Sequence, residues 1–148
     1  MRLVFTRGAG KMDRLEMIHA GRAPEFLDCP KQRIIPHDMI HYAVETVLDA
    51  RGFIGRVAAG EAAVLTMSAE PESDGVERLV EAIQGDAWSG DAARAEDVID
   101  LYRVTCEARG CPMLPVDAAA IDAIRTRIAE LTVAWDAVPV GGTMALDF

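Results

Sequence analysis

Apolar positions recur along the chain with two periods, and the switch between them separates strand-like ends from a helical middle. Near the N-terminus the period is two. Arg2 to Arg7 reads as a short strand, Gly8-Ala9-Gly10 as a turn, and Met12 to Ile18 as the returning strand of a hairpin. Leu15 and Met17 share one face of that second strand and Arg14 and Glu16 the other, the alternation of a half-buried strand. A turn at Ala20-Gly21-Arg22 leads to a third candidate strand over Glu25 to Cys29, and Pro30 and Pro36 bracket the linker that follows. After Pro139 and Gly141-Gly142, Thr143 to Phe148 alternates again. A lone two-stranded hairpin is marginal in water, so this last strand is expected to return to the N-terminal hairpin.

Between these ends the period is 3.6. Pro36 opens a helix on which Ile40, Ala43, Val44 and Val47 form one apolar face, with Leu48 on its shoulder, and which should stop near Gly52. His37 and His41 fall at the edge of that face, while Asp38, Glu45 and Asp49 lie on the polar side. Phe53 to Gly60 and Glu61 to Met67 are short apolar pieces that fit a helical turn or a strand equally well. Glu70 to Gly75 reads as a loop, with Asp74 and Glu77 as the capping box of the next helix. Val76, Leu79, Val80 and Ile83 give that helix its stripe and Gly85 a stop. Ala95, Val98, Tyr102 and Thr105, widened by Ile99, Leu101 and Cys106, define a further helix closed by Gly110. Asp117 caps the last one, with Val116 and Ile121 as a hydrophobic staple and Ile124, Ile128, Leu131, Trp135 and Val138 continuing the stripe up to Pro139.

These elements make a single α+β domain over residues 1–148. A small antiparallel sheet, the N-terminal hairpin plus the C-terminal strand, packs with about four helices, including a C-terminal antiparallel helix pair joined by a short connection. With 148 residues, 51% of them hydrophobic, the chain buries a core without staples. Cys29, Cys106 and Cys111 are scattered and odd in number, which fits reduced, buried thiols. No apolar run approaches the roughly 20 residues of a membrane-spanning helix, and the first residues are too short in apolar content for a secretory signal. A cytoplasmic address is the default expectation. The net charge of −9 is uneven, +3 over residues 1–33 and −12 over the rest. An acidic body repels phosphate backbones, so neither nucleic acid nor membrane is an expected partner, while pairing of the basic segment with an acidic region, within the chain or in a homo-oligomer, stays open.

One constellation could carry chemistry. His37 and His41, four residues apart, lie on one side of a helix, close enough for both imidazoles to bind one divalent ion such as zinc, manganese or iron. H-D-x-x-H resembles the zincin H-E-x-x-H, in which the acid activates metal-bound water, although Asp38 is one methylene shorter than glutamate. Glu45 lies eight residues from His37, about 12 Å along the axis at 1.5 Å per residue, so His37, His41 and Glu45 cannot share one ion. Either His37 and His41 hold it or His41 and Glu45 do, with outside ligands for which Glu61, Glu70, Cys111 and His19 are candidates. Without a metal, the pair could instead serve acid–base chemistry or contact a ligand, and two functions follow. One is a metal-dependent hydrolase, with His37 and His41 as ligands and Asp38 or Glu45 assisting. The other is a non-enzymatic interaction module whose histidines merely border the core. The Gly8-x-Gly10-Lys11 turn lacks P-loop spacing, no G-x-S-x-G elbow is present, Cys29 reads as a buried thiol before it reads as a nucleophile, and Trp88 and Trp135 read as packing.

The run Pro36, His37, Asp38, His41, Tyr42, Val44 and Glu45 is similar to the P-H-D-x-x-H-Y-x-V-E run of a group of small, uncharacterised bacterial proteins. The likeness extends to the flanking strand, the Gly52-Phe53-x-Gly55 piece and the glycine-rich C-terminal strand. It implies no activity.

Overall fold

The computed structural model describes residues 1–63 and 67–148. Strands β1 (Arg2–Thr6), β2 (Met12–Ile18) and β3 (Glu25–Pro30) precede helices α1 (His37–Leu48), α2 (Phe53–Ala58), α3 (Pro71–Trp88), α4 (Ala95–Arg109) and α5 (Ala118–Asp136), and β4 (Thr143–Asp147) closes the order. The four strands form one antiparallel sheet in the order β3-β2-β1-β4. The C-terminal strand thus returns to β1, as its alternation and the weakness of a lone hairpin require. Register places Phe5 opposite Leu15 and Met144, and Leu3 opposite Met17 and Leu146, so these side chains share one face. Leu3, Phe5, Leu15 and Met17 are wholly buried there.

Helices cover that face. Trp135 of α5 meets Phe5 edge-on at 6.4 Å between ring centroids, and the Tyr42 hydroxyl of α1 donates to the Asp147 carbonyl at 3.1 Å. Helix α1 packs against α3 and α5, and α4 packs against both α3 and α5. Asp117 caps α5 by accepting from the Ala120 amide, and Gly110 ends α4 in the left-handed conformation. Among the described residues no helix is long and apolar enough to cross a membrane.

Several expectations change. The ambiguous Phe53 piece is a short helix, which makes five helices among the described residues. The companion piece over Glu61 to Met67 has no regular structure where it is described, and residues 64–66 lie outside the described residues. Helix α3 starts at Pro71, not after a capping box at Asp74. Proline at the first helical position needs no N–H partner, and Glu70 precedes it in extended conformation. Glu77 is thereby moved into the body of α3. Gly85 does not stop this helix, since one glycine costs only about 1 kcal/mol relative to alanine and the flanking Ile83, Gln84 and Asp86 are buried. Helix α1 ends at Leu48, capped by Asp49 in the left-handed region, and Glu45 is buried rather than on a polar face. Leu101 stands 49% exposed on α4, outside the stripe. Trp135 packs in the core, whereas Trp88 is 57% exposed.

Two glycines of α3 give a test with opposite signs. A Cβ on Gly75 would stand 2.5 Å from the Pro112 carbonyl oxygen, whereas one on Gly85 would meet nothing within 4 Å. Gly85→Ala should stabilise the fold by about 0.5–1 kcal/mol through lower unfolded-state entropy. Gly75→Ala should destabilise it by about 1–3 kcal/mol despite the better helix former. Urea denaturation midpoints of the two variants check this, and a shift of the same sign in both would refute the packing described for α3.

Candidate metal centre

Helix α1 begins where Pro36 leaves the extended region, and the Met39 amide bonds the Pro36 carbonyl at 2.9 Å. His37 and His41 therefore occupy its first two turns, with ring centroids 4.8 Å apart. Helix α3 packs alongside and contributes Glu77. Its carboxylate lies 3.0 Å from His41 Nε2 and 3.9 Å from His37 Nε2. One ligand atom from each of His37, His41 and Glu77 lies within 4.8 Å of the others, close enough to hold one metal ion.

Behind the cluster each imidazole is anchored through its other nitrogen. His41 Nδ1 lies 3.2 Å from Glu45 Oε1, and His37 Nδ1 lies 3.2 Å from Gln84 Oε1. Glu45 is only 1% exposed, and its oxygens face backbone donors at the start of α2. Gly52 and Gly55 donate to Oε2 at 3.0 and 2.7 Å, and Ile54 donates to Oε1 at 3.1 Å. Gly52 makes this possible, because a Cβ there would stand 2.6 Å from the Glu45 carboxylate and 2.5 Å from Val76. Held as an acceptor, Glu45 turns His41 Nδ1 into a donor and Nε2 toward Glu77. Histidines that ligate metals are commonly oriented in this way, with the second ring nitrogen donating to a carboxylate or carbonyl.

Charge follows geometry. Burial opposes protonation of His41, but hydrogen bonds to Glu45 and Glu77 outweigh it and raise its pKa to about 10. The bond to His41 outweighs burial at Glu77 and holds that carboxyl down at about 2. Burial, then the neighbouring His41, lowers His37 below its ordinary value. Without metal, His41 is thus a cation between two carboxylates. A metal ion held by this group would have to displace the proton on His41 Nε2.

The cluster opens on a cavity of about 400 Å³ whose wall includes Asp38, Phe53, Arg56, Met67 and Arg78. Asp38, adjacent to His37, accepts from the Cys29 thiol at 3.3 Å. Burial and then Asp38 push the pKa of that thiol well above the usual range, which favours the protonated form over the thiolate a nucleophile needs. Of the outside ligands considered from sequence, Glu61 and Glu70 are engaged elsewhere, each pairing with Arg51 and with the buried Arg56. The Cys111 thiol donates to the Asp74 carbonyl, and His19 does not join the cluster. Glu45 does not line the cavity, and among the described residues the clustered third group is Glu77. Sequence reasoning assigned Glu77 to a helix cap. Its place between Val76 and Val80, beside a buried stripe, was the available signal.

No protein-family model, curated protein or solved structure matches the chain.

The raised His41 pKa stabilises the metal-free fold fully below 6.5, and that contribution disappears as pH rises through about 10. The lowered Glu77 pKa acts in the other direction, stabilising above 4.5 and fading as pH falls toward about 2. Metal-free protein should therefore lose stability between neutral pH and pH about 10, and Glu77→Gln should flatten that loss. Urea titrations across the interval check it, and parallel pH profiles for parent and variant would show the pair is not formed.

Proposed function

We propose that the protein binds one divalent metal ion through His37 Nε2, His41 Nε2 and the Glu77 carboxylate, and acts as a metal-dependent hydrolase. One observation carries this reading: three ligand atoms of suitable type converge within 4.8 Å at the wall of a cavity, and both histidines are anchored through Nδ1. Two imidazoles and one carboxylate suit zinc, manganese or iron(II), and three protein ligands leave coordination positions for substrate or water, as catalytic sites require. Asp38 is the residue assigned to hold the proton removed from the attacking water, since it lines the cavity beside the first ligand. Glu45 assists by orienting His41 and not by meeting substrate. An ion held there would supply Lewis acidity toward a carbonyl or phosphoryl oxygen.

The competing reading is a non-enzymatic interaction module, in which charged His41 is a structural partner of Glu45 and Glu77. Elemental analysis of untagged protein and calorimetric titration of metal-free protein with zinc separate the two. The metal reading expects one ion per chain. His37→Ala, His41→Ala and Glu77→Gln should each weaken binding by more than the roughly 10–100-fold typical of losing an outer partner. Variants that bind zinc as tightly as the parent would remove the proposal. For the enzymatic step, Asp38→Asn should keep the metal and lower hydrolysis of p-nitrophenyl acetate by roughly 10²–10⁴-fold. An unchanged rate would exclude Asp38 as the base.

A further inference from the structure

The two histidines are anchored by different chemistry, and behind His37 a chain of amides runs away from the cavity. His37 Nδ1 meets Gln84 Oε1 on α3 at 3.2 Å, Gln84 Nε2 donates to Gln32 Oε1, and Gln32 Nε2 donates to the Ile35 carbonyl at 3.0 Å. Gln32 is itself pinned, because its backbone carbonyl accepts from the Trp88 indole N–H at 3.0 Å. That bond gives the exposed Trp88 a purpose that packing does not supply: it ties the loop before α1 to the last residue of α3.

An amide carries a donor at one end and an acceptor at the other, whereas a backbone carbonyl only accepts. The Ile35 carbonyl therefore decides the polarity of the whole chain. Gln32 must turn its NH₂ toward Ile35 and its oxygen toward Gln84. Gln84 must then offer its NH₂ to Gln32 and its oxygen to His37, so His37 Nδ1 must carry the proton. Reversing either amide would set oxygen against oxygen, which is costly at Gln84, a buried side chain. We propose that Gln32 and Gln84 are positioning residues that lock neutral His37 as its Nδ1–H tautomer, leaving the Nε2 lone pair facing Glu77 and the cavity.

The purpose assigned to this tautomer rests on the metal reading, but the tautomer is a property of the metal-free protein. Neutral imidazole free in water prefers its proton on Nε2, the atom a metal needs here. The amide chain reverses that preference before any ion arrives, so the ligand is prepared in advance. Glu45 orients the His41 ring with a carboxylate, but metal-free His41 carries a proton on both nitrogens and its Nε2 must shed one before it can bind an ion. The site is thus asymmetric, with a carboxylate-backed His41 and an amide-backed His37.

Long-range ¹H–¹⁵N correlation spectra of metal-free, ¹⁵N-labelled full-length protein test the proposal at mildly alkaline pH, where His37 is neutral. The parent should show His37 protonated on Nδ1. Gln84→Leu should move the proton toward Nε2 and weaken zinc binding by roughly 10–100-fold. Gln84→Glu, which keeps an acceptor, should retain the Nδ1–H form. Gln32→Leu lies in the loop, outside the helices, and should yield a mixture of tautomers, which keeps the test informative if Gln84→Leu does not fold. A parent His37 protonated on Nε2, or a Gln84→Leu spectrum identical to the parent's, overturns the proposal. An Nδ1–H parent that binds no zinc supports the amide chain and removes the metal reading alone.

Discussion

Glu45 is a carboxylate removed from water, and a buried acid without donors is among the costliest features a small fold can carry. The chain supplies those donors from the first turn of α2, whose amides have no helical partners of their own. One side chain of α1 thus satisfies the start of α2 and orients the His41 ring. The arrangement tolerates no side chain at Gly52, where the carboxylate and Val76 already fill the space. The α1–α2 corner, the buried acid and the orientation of His41 form one unit. Disturbing any of them should disturb the others.

Helix α3 completes that unit from the other side. It carries Glu77 to the two Nε2 atoms and, two turns later, Gln84 to His37 Nδ1. Three further features tie α3 in place: the close approach of Gly75 to the Pro112 carbonyl, the Trp88–Gln32 bond, and the bonds Arg125 makes to the buried Asp86. Rigid supports of this kind matter for a metal site because a ligand displaced by an ångström binds poorly. The cavity wall differs in character. Arg51, Arg56, Glu61 and Glu70 form a charge network that fastens the chain after α2 beside the cavity.

Each residue of the run from Pro36 to Glu45 now has a physical task. Pro36 starts the helix, His37 and His41 offer nitrogen ligands, and Asp38 lines the cavity. Tyr42 bonds the C-terminal strand, Val44 fills the core, and Glu45 joins α2 to His41. The spacing of the histidines was legible because an α-helix fixes what lies one turn away. The burial of Glu45 was not. On a helical wheel it sits with polar neighbours, and only the arrival of α2 makes its side of the helix an interior.

What the sequence determined by itself was whatever depends on local periodicity and chain chemistry. That covers the α+β class, the N-terminal hairpin, the closing strand, the positions of α4 and α5 with their Gly110 and Asp117 caps (although α5 stops at Asp136, short of Val138), and the histidine pair on α1. Local signals failed where two of them competed, as at Pro71 against Asp74, or where packing outweighed a propensity of about 1 kcal/mol, as at Gly85. Tertiary structure alone decided which distant groups meet. Glu77, Gln84 and Gln32 lie 36 or more residues after His41 or on the far side of Pro36, and their approach to the imidazoles comes from helix packing that no spacing rule encodes.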